Sequence, residues 1–270
     1  MSIGAGAQTT GLYSVAIGES SNASTTGAIA IGRGAKSTST NAIGIGIGAT
    51  AGANYSVAIG STTNITSAGT NSIAIGPSAY CSSTYSTVIG CAATGTQTYV
   101  VAVGGYATAT GSYSVAVGPH SHAYQEHTIA LGYSADSTAT GSIAIGFNPT
   151  SSGYYSIATG YASTATSTGA IALGYSANAT ATGAIAIGYN PTASGIYSIG
   201  VGYGAKSADR SIMIGANVSS SSATIGKSAI AIGSGASPQT DSNGTHTPRA
   251  LHAETGAVAI GSAYSAVIEG

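Results

Sequence analysis

Large and small apolar residues alternate in short words along this chain, and each word ends on glycine. Ile171-Ala172-Leu173-Gly174 is followed by Ile185-Ala186-Ile187-Gly188. A period of two, with bulky aliphatic residues at both outer positions, predicts a short strand. A second alternation, small apolar against polar, as in Ala177-Asn178-Ala179, predicts another strand in the same interval. Glycines separate the two, where the backbone must turn sharply or take positive φ.

The closing glycine recurs every 14 residues at Gly18, Gly32, Gly46 and Gly60. After one step of 16 it resumes at Gly76 and keeps the period through Gly118 and Gly160 to Gly202. The spacing then loosens to Gly215, Gly233 and Gly261. Two short strands per turn predict an all-β chain, a parallel β-solenoid or β-roll. Helix is excluded by few Leu, Glu and Lys among many Gly, Ser and Thr. So small a unit cannot bury a face alone, so turns must stack. At roughly 4.8 Å between strands, about 19 turns would make a rod on the order of 90 Å long. The expected organisation is regular repeats over 1–233, an irregular insertion or degenerate turns over 234–257, and a terminal repeat-like turn over 258–270.

The alternation also assigns faces. Placing the large residues inside gives an interior ladder of Ile171, Ile185 and Ile199 with Leu173, Ile187 and Val201. The middle residue then faces outward. It is Ala16, Ala30, Ala58, Ala74, Ala102, Ala116, Ala130, Ala144, Ala158, Ala172 and Ala186, with Ala231 and Ala259 further on. Alanine is a poor strand residue, and a water-facing file would carry Thr, Lys or Asn. A small residue held there predicts another backbone packed close, and so a subunit interface along the alanine file.

Aromatic residues form files of their own. Tyr133, Phe147, Tyr161, Tyr175, Tyr189 and Tyr203 each follow a closing glycine in six successive turns. Stacked rings would cover the corner of the coil, whereas an exposed stripe would offer a binding surface for sugar rings or a protein. Tyr13, Tyr55, Tyr85, Tyr99, Tyr113, Tyr155 and Tyr197 make a second corner file. Threonines recur six and eight residues after the glycine, as at Thr138 and Thr140. Paired ranks of that kind on a flat face would order water and bind ice.

Composition removes most other chemistry. The 270 residues carry a formal net charge of −1, with 5% charged residues, so there is no electrostatic footprint for nucleic acid. No apolar run approaches the length of a membrane helix. Met1-Ser2-Ile3-Gly4 lacks the basic and apolar regions of a secretory signal, which leaves the compartment open. His120, His122 and His127 with Glu126 are the one histidine cluster, and His-x-His on a strand would set two rings on one face for a metal. A solvated surface cluster is the reading preferred, with no metal or cofactor expected. Gly226-Lys227-Ser228 lacks the first glycine of a phosphate loop. Cys81 and Cys91 are too few for a disulfide framework; they are read as buried small thiols, with a bridge as the alternative. No acidic pair recurs in one place, and no catalytic residues are assigned.

The words Ser14–Gly18, Ser56–Gly60, Ser72–Gly76, Ser114–Gly118 and Ser142–Gly146, spaced by the repeat and joined by A-x-A segments, resemble the head repeats of YadA-type trimeric autotransporter adhesins. The resemblance covers nearly the whole chain except 234–256. It implies a left-handed roll, a homotrimer, and adhesion to host matrix or cell surfaces, with a host protein or glycan as partner. Neck motif, heptad stalk and membrane barrel are missing from the pattern, so no membrane insertion by this segment is expected. That fits a head segment of a longer chain. It also fits a bacteriophage tail fibre, where similar rolls occur. The expectation is therefore a non-enzymatic extracellular, cell-surface or virion-surface protein. A receptor-binding fibre segment and an ice-binding solenoid are the alternatives. The irregular 234–256 segment is expected to carry specificity.

Overall fold

The computed structural model describes residues 1–218, 230–233 and 258–260. Among them there is no helix, and the strands are parallel throughout, in about 16 solenoid turns. The chain divides into two compact units, 1–141 and 142–270.

In the first unit each turn contributes one three-residue and one two-residue strand. Val15–Ile17 pairs with Ile29–Ile31 in the register Val15↔Ile29, Ala16↔Ala30, Ile17↔Ile31. Asn22–Ala23 pairs with Lys36–Ser37. The offset is the sequence period, so each residue lies on its own equivalent in the next turn. The step of 16 changes nothing in the ladder: Val57–Ile59 pairs in register with Ile73–Ile75. Its two extra residues sit in the bend around Ala68–Thr70, where the Gly69 amide donates to the Thr66 carbonyl at 2.9 Å.

The second unit repeats the scheme. Ile171–Leu173 pairs with Ile185–Ile187, and Thr164–Ala165 with Asn178–Ala179. Where the period loosens the ladder still holds. Ile199–Val201 pairs with Ile212–Ile214, which pairs with Ile230–Ile232, which pairs with Val258–Ile260. The insertion expected over 234–257, the Gly226-Lys227-Ser228 stretch and most of the terminal turn lie outside the described residues.

The assignment of faces is corrected. Within a single chain Ala16, Ala30, Ala58, Ala74, Ala102 and Ala116 are 0% exposed, as are Ala130, Ala144, Ala158, Ala172 and Ala186. These alanines fill their own roll, so their side chains are not available to a second subunit. The Ile and Val residues beside them point outward and are partly exposed, Val117 reaching 36%. The turn beginning at Gly174 shows why. Its inward side chains are Ala177, Ala179, Ala184 and Ala186, all fully buried, and they pack with their counterparts above and below.

Two thin sheets joined by tight bends leave room for little more than methyl and hydroxymethyl groups. A methyl added at Gly44 would come within 2.9 Å of Ser37 Oγ on the facing strand. Ser37 Oγ itself donates across the roll to the Ile29 carbonyl at 2.6 Å. A larger inward residue needs a smaller one opposite. Val88 and Val100 are buried where Gly95 has no side chain, and a Cβ at Gly95 would meet their methyls at 2.6 and 2.9 Å. Period-two alternation is blind to which phase faces in; interior volume decided it.

Candidate functional site

With the interior filled mostly by Ala and Ser, everything available for recognition lies on the outward positions. Three kinds of surface result: an apolar strand face, two aromatic corners and a polar strand face.

The apolar face belongs to the three-residue strands. In the first unit it carries Val101 with Val103, Val115 with Val117, and Ile129 with Leu131, all on the outward phase. In the second unit Ile143 with Ile145 and Ile185 with Ile187 do the same. Removing the exposed part of one such side chain from water contributes on the order of 1 kcal/mol. The sequence did contain this file, but read as core.

The corner after the closing glycine carries the aromatic ladder. In the second unit Phe147, Tyr161, Tyr175, Tyr189 and Tyr203 stack in sequence. Their ring centroids are 5.3, 4.8, 4.6 and 5.3 Å apart and their planes within 3–6° of parallel. Each ring is about half-exposed, so the ladder is at once a stack and a surface. Its ring faces cover one another, leaving edges and hydroxyl groups outward. In the first unit Tyr133, also about half-exposed, meets the His120 ring edge-on at 6.1 Å.

The opposite corner carries the second tyrosine file. Tyr85, Tyr99 and Tyr113 stack at 5.0 and 5.2 Å, and His127 continues the file at 5.3 Å from Tyr113. These residues hold φ near +57°, from 56° to 59°, a region that side-chain-bearing residues visit rarely. Stacking with the turns above and below favours this costly geometry. Sequence reasoning missed that His127 stands in for a tyrosine here. It also missed that His120 stacks on Tyr106 at 5.0 Å. Their spacing in the repeat was the available signal.

The histidine cluster is therefore dispersed. His120 and His127 sit on opposite corners, and His122 stands on the polar face of the two-residue strands. Glu126 lies 3.9 Å from His127 Nδ1 with both side chains exposed, an arrangement that contributes little. Among the described residues no group of three or more His, Cys, Asp and Glu comes together to hold a metal. His122 instead has Asp136 as its neighbour in register and Tyr124 stacked on it at 5.3 Å. Burial raises the Asp136 carboxyl above its usual range, and the nearby His122 pulls it back in part. Burial also raises the Tyr124 phenol, with the Asp136 charge adding to the shift.

The remaining candidates fall into place by position. Threonines six and eight residues after the glycine lie on either side of a bend, as Thr138 and Thr140 do. Cys81 is interior and Cys91 is exposed on the corner, and both thiols are free. Burial raises the Cys81 thiol, against the lowering contact with the Ser83 carbonyl at 3.5 Å.

A family model described as the YadA head domain repeat matches residues 1–18, 10–35, 37–63, 67–90, 101–121, 123–148, 151–177 and 165–190. A comparison with curated proteins finds no match. The matched segments cover well over half of the chain and include both corners and both strands of the repeat.

Proposed function

The chain belongs to the family of YadA head domain repeats, and from that premise we propose a non-enzymatic structural and adhesive role. The working form is a homotrimer in which each roll turns its Ile/Val face toward the common axis. The observation that carries this reading is the apolar face itself. On most turns two bulky aliphatic side chains are left partly exposed in a single chain whose own interior is filled mostly by small ones. Contiguous apolar surface of that extent marks an interaction site, and its repetition along parallel strands suits a second copy in register.

The polar faces of the two-residue strands then point away from the axis. They display a surface for a host protein or a glycan outside the cell, on a cell or virion surface. Three copies of every contact let individually weak attachments add up.

The test is the mass of the purified chain by light scattering, with binding to matrix-coated surfaces measured in parallel. Three chains per particle are expected, together with surface retention that disappears when Val117→Glu separates the copies. A monomer at micromolar concentration would overturn the trimer. Equal retention by the separated chain would overturn the role of multivalent display.

A further inference from the structure

We propose that where copies of this chain associate through the Ile/Val face, the two aromatic corners meet across each boundary between copies. The corner residue before the three-residue strand of one copy would pack against the residue after the closing glycine of the next. This rests on the reading of that face as the association surface.

The two corners flank the apolar face at every rung. Tyr99 and Gly105 bracket Val101–Val103, and Gly183 and Tyr189 bracket Ile185–Ile187. The three-residue strand between them alone spans roughly 10 Å, so the two ends of a rung do not touch within one chain. Their sizes are nevertheless matched. Tyr99 and Tyr113 have Gly105 and Pro119 at the other end of their rungs, while Tyr175 and Tyr189 have Gly169 and Gly183. On these rungs the bulky residue changes ends, and the small one changes with it. Side chains that never meet in a chain have no steric reason to trade volume within it.

Symmetry supplies the reason. In a closed ring of parallel copies the interface is head-to-tail around the axis, so one edge of each copy's face meets the opposite edge of its neighbour. A tyrosine at one edge then fills the space left by glycine or proline at the other. Rungs with rings at both ends, His127 with Tyr133, Tyr155 with Tyr161 and Tyr197 with Tyr203, become ring-against-ring contacts. Ring faces are already covered along each file, so the half-exposed edges are the parts that meet the neighbour.

The chain provides its own probe. Tyr85 and Cys91 are the two ends of the rung Thr87–Ile89, and Cys91 is a free, exposed thiol. A disulfide needs Cα atoms within about 7 Å, so a cysteine at 85 cannot reach Cys91 of its own chain. On mild oxidation Tyr85→Cys is expected to give chains covalently joined between copies on a non-reducing gel. Tyr85→Cys with Cys91→Ser, and the parent chain, stay unlinked.

A second variant reads the same contact without a thiol. A Cβ at Gly105 meets nothing within 4 Å in the single chain. Gly105→Trp is therefore expected to keep the far-UV spectrum and melting of the roll while weakening association at least tenfold. An oligomeric parent whose Tyr85→Cys variant forms no links, or a Gly105→Trp chain that associates as tightly as the parent, would overturn the proposal. A parent that is monomeric by mass would overturn the association reading together with it.

Discussion

Gly118 and Gly132 lie one turn apart, with backbones so close that a Cβ at position 118 would stand 2.3 Å from the Gly132 carbonyl oxygen. Gly118 also holds φ at +129°. Gly118→Ala therefore faces a forbidden backbone region and a clash with main chain that cannot swing away. A loss of about 3 kcal/mol or more is expected. Gly105→Ala is the control, since its Cβ has open space, and it should shift stability by less than about 1 kcal/mol. Chemical unfolding followed by circular dichroism separates the two.

Tyr175 is stacked on both sides, at 4.8 Å from Tyr161 and 4.6 Å from Tyr189. Replacing it by Ala removes two parallel contacts from the middle of the file, at a cost of about 1–2 kcal/mol. Tyr175→Phe keeps both rings in register and should cost under about 0.5 kcal/mol. Equal unfolding midpoints for the Ala and Phe variants would mean that the stack contributes nothing to the roll.

Neighbouring residues on one strand should fail in different ways. Ala116 is fully buried between its sheets, and Val117 beside it points out. Ala116→Glu forces a carboxylate into space sized for a methyl group, and the single chain should lose its fold. Val117→Glu leaves the interior untouched, so the strand signal should persist while the particle falls to the mass of one chain. Mass and far-UV circular dichroism on both variants decide this. The opposite pairing of outcomes would restore the alanine file as the interface.

That contrast locates what the sequence made legible. Spacing of the closing glycines predicts the turn length, the parallel stacking and the in-register pairing of Ala16 with Ala30, because a ladder repeats whatever its unit is. It also predicts which aromatic residues stack, since Tyr175 and Tyr189 occupy one position of the repeat. Which phase of Ile185-Ala186-Ile187 faces inward was not legible by hydrophobicity, because bulk and apolarity point to opposite answers in so narrow a roll. The inward positions of the other strand held the clue. Ala177 and Ala179 are small there too, and four small side chains per turn leave no space for isoleucine. His120 and His127 were grouped by nearness in sequence, although their places in the repeat send them to different corners.

The two thiols should react at very different rates. Cys91 is exposed on its corner, whereas Cys81 is buried, and that burial holds its thiol in the unreactive protonated form. In the chain kept single by Val117→Glu, a thiol reagent at neutral pH should modify one group rapidly and the second only as the roll unfolds. Cys91→Ser should abolish the fast phase and leave the slow one unchanged. Two fast thiols in that single chain would contradict the interior position of Cys81.

Asp136 makes the roll's stability depend on pH in an unusual direction. Its carboxyl is raised by burial, and Oδ1 accepts no hydrogen bond, so the folded chain holds this proton more tightly than the unfolded one. The contribution is fully present below the ordinary aspartate range and is lost as pH rises through the raised folded value. Most structural carboxylates behave in the opposite sense. Asp136→Asn keeps the shape and removes the charge. It should melt at a higher temperature than the parent at pH 7 and close to it at pH 3. His122 works against the shift by favouring the charged carboxylate, so His122→Gln should steepen the parent's decline between these limits. Melting temperatures of the three chains across this range are the measurement. A parent that gains stability through that window relative to Asp136→Asn would show a carboxylate better solvated or paired than its burial implies.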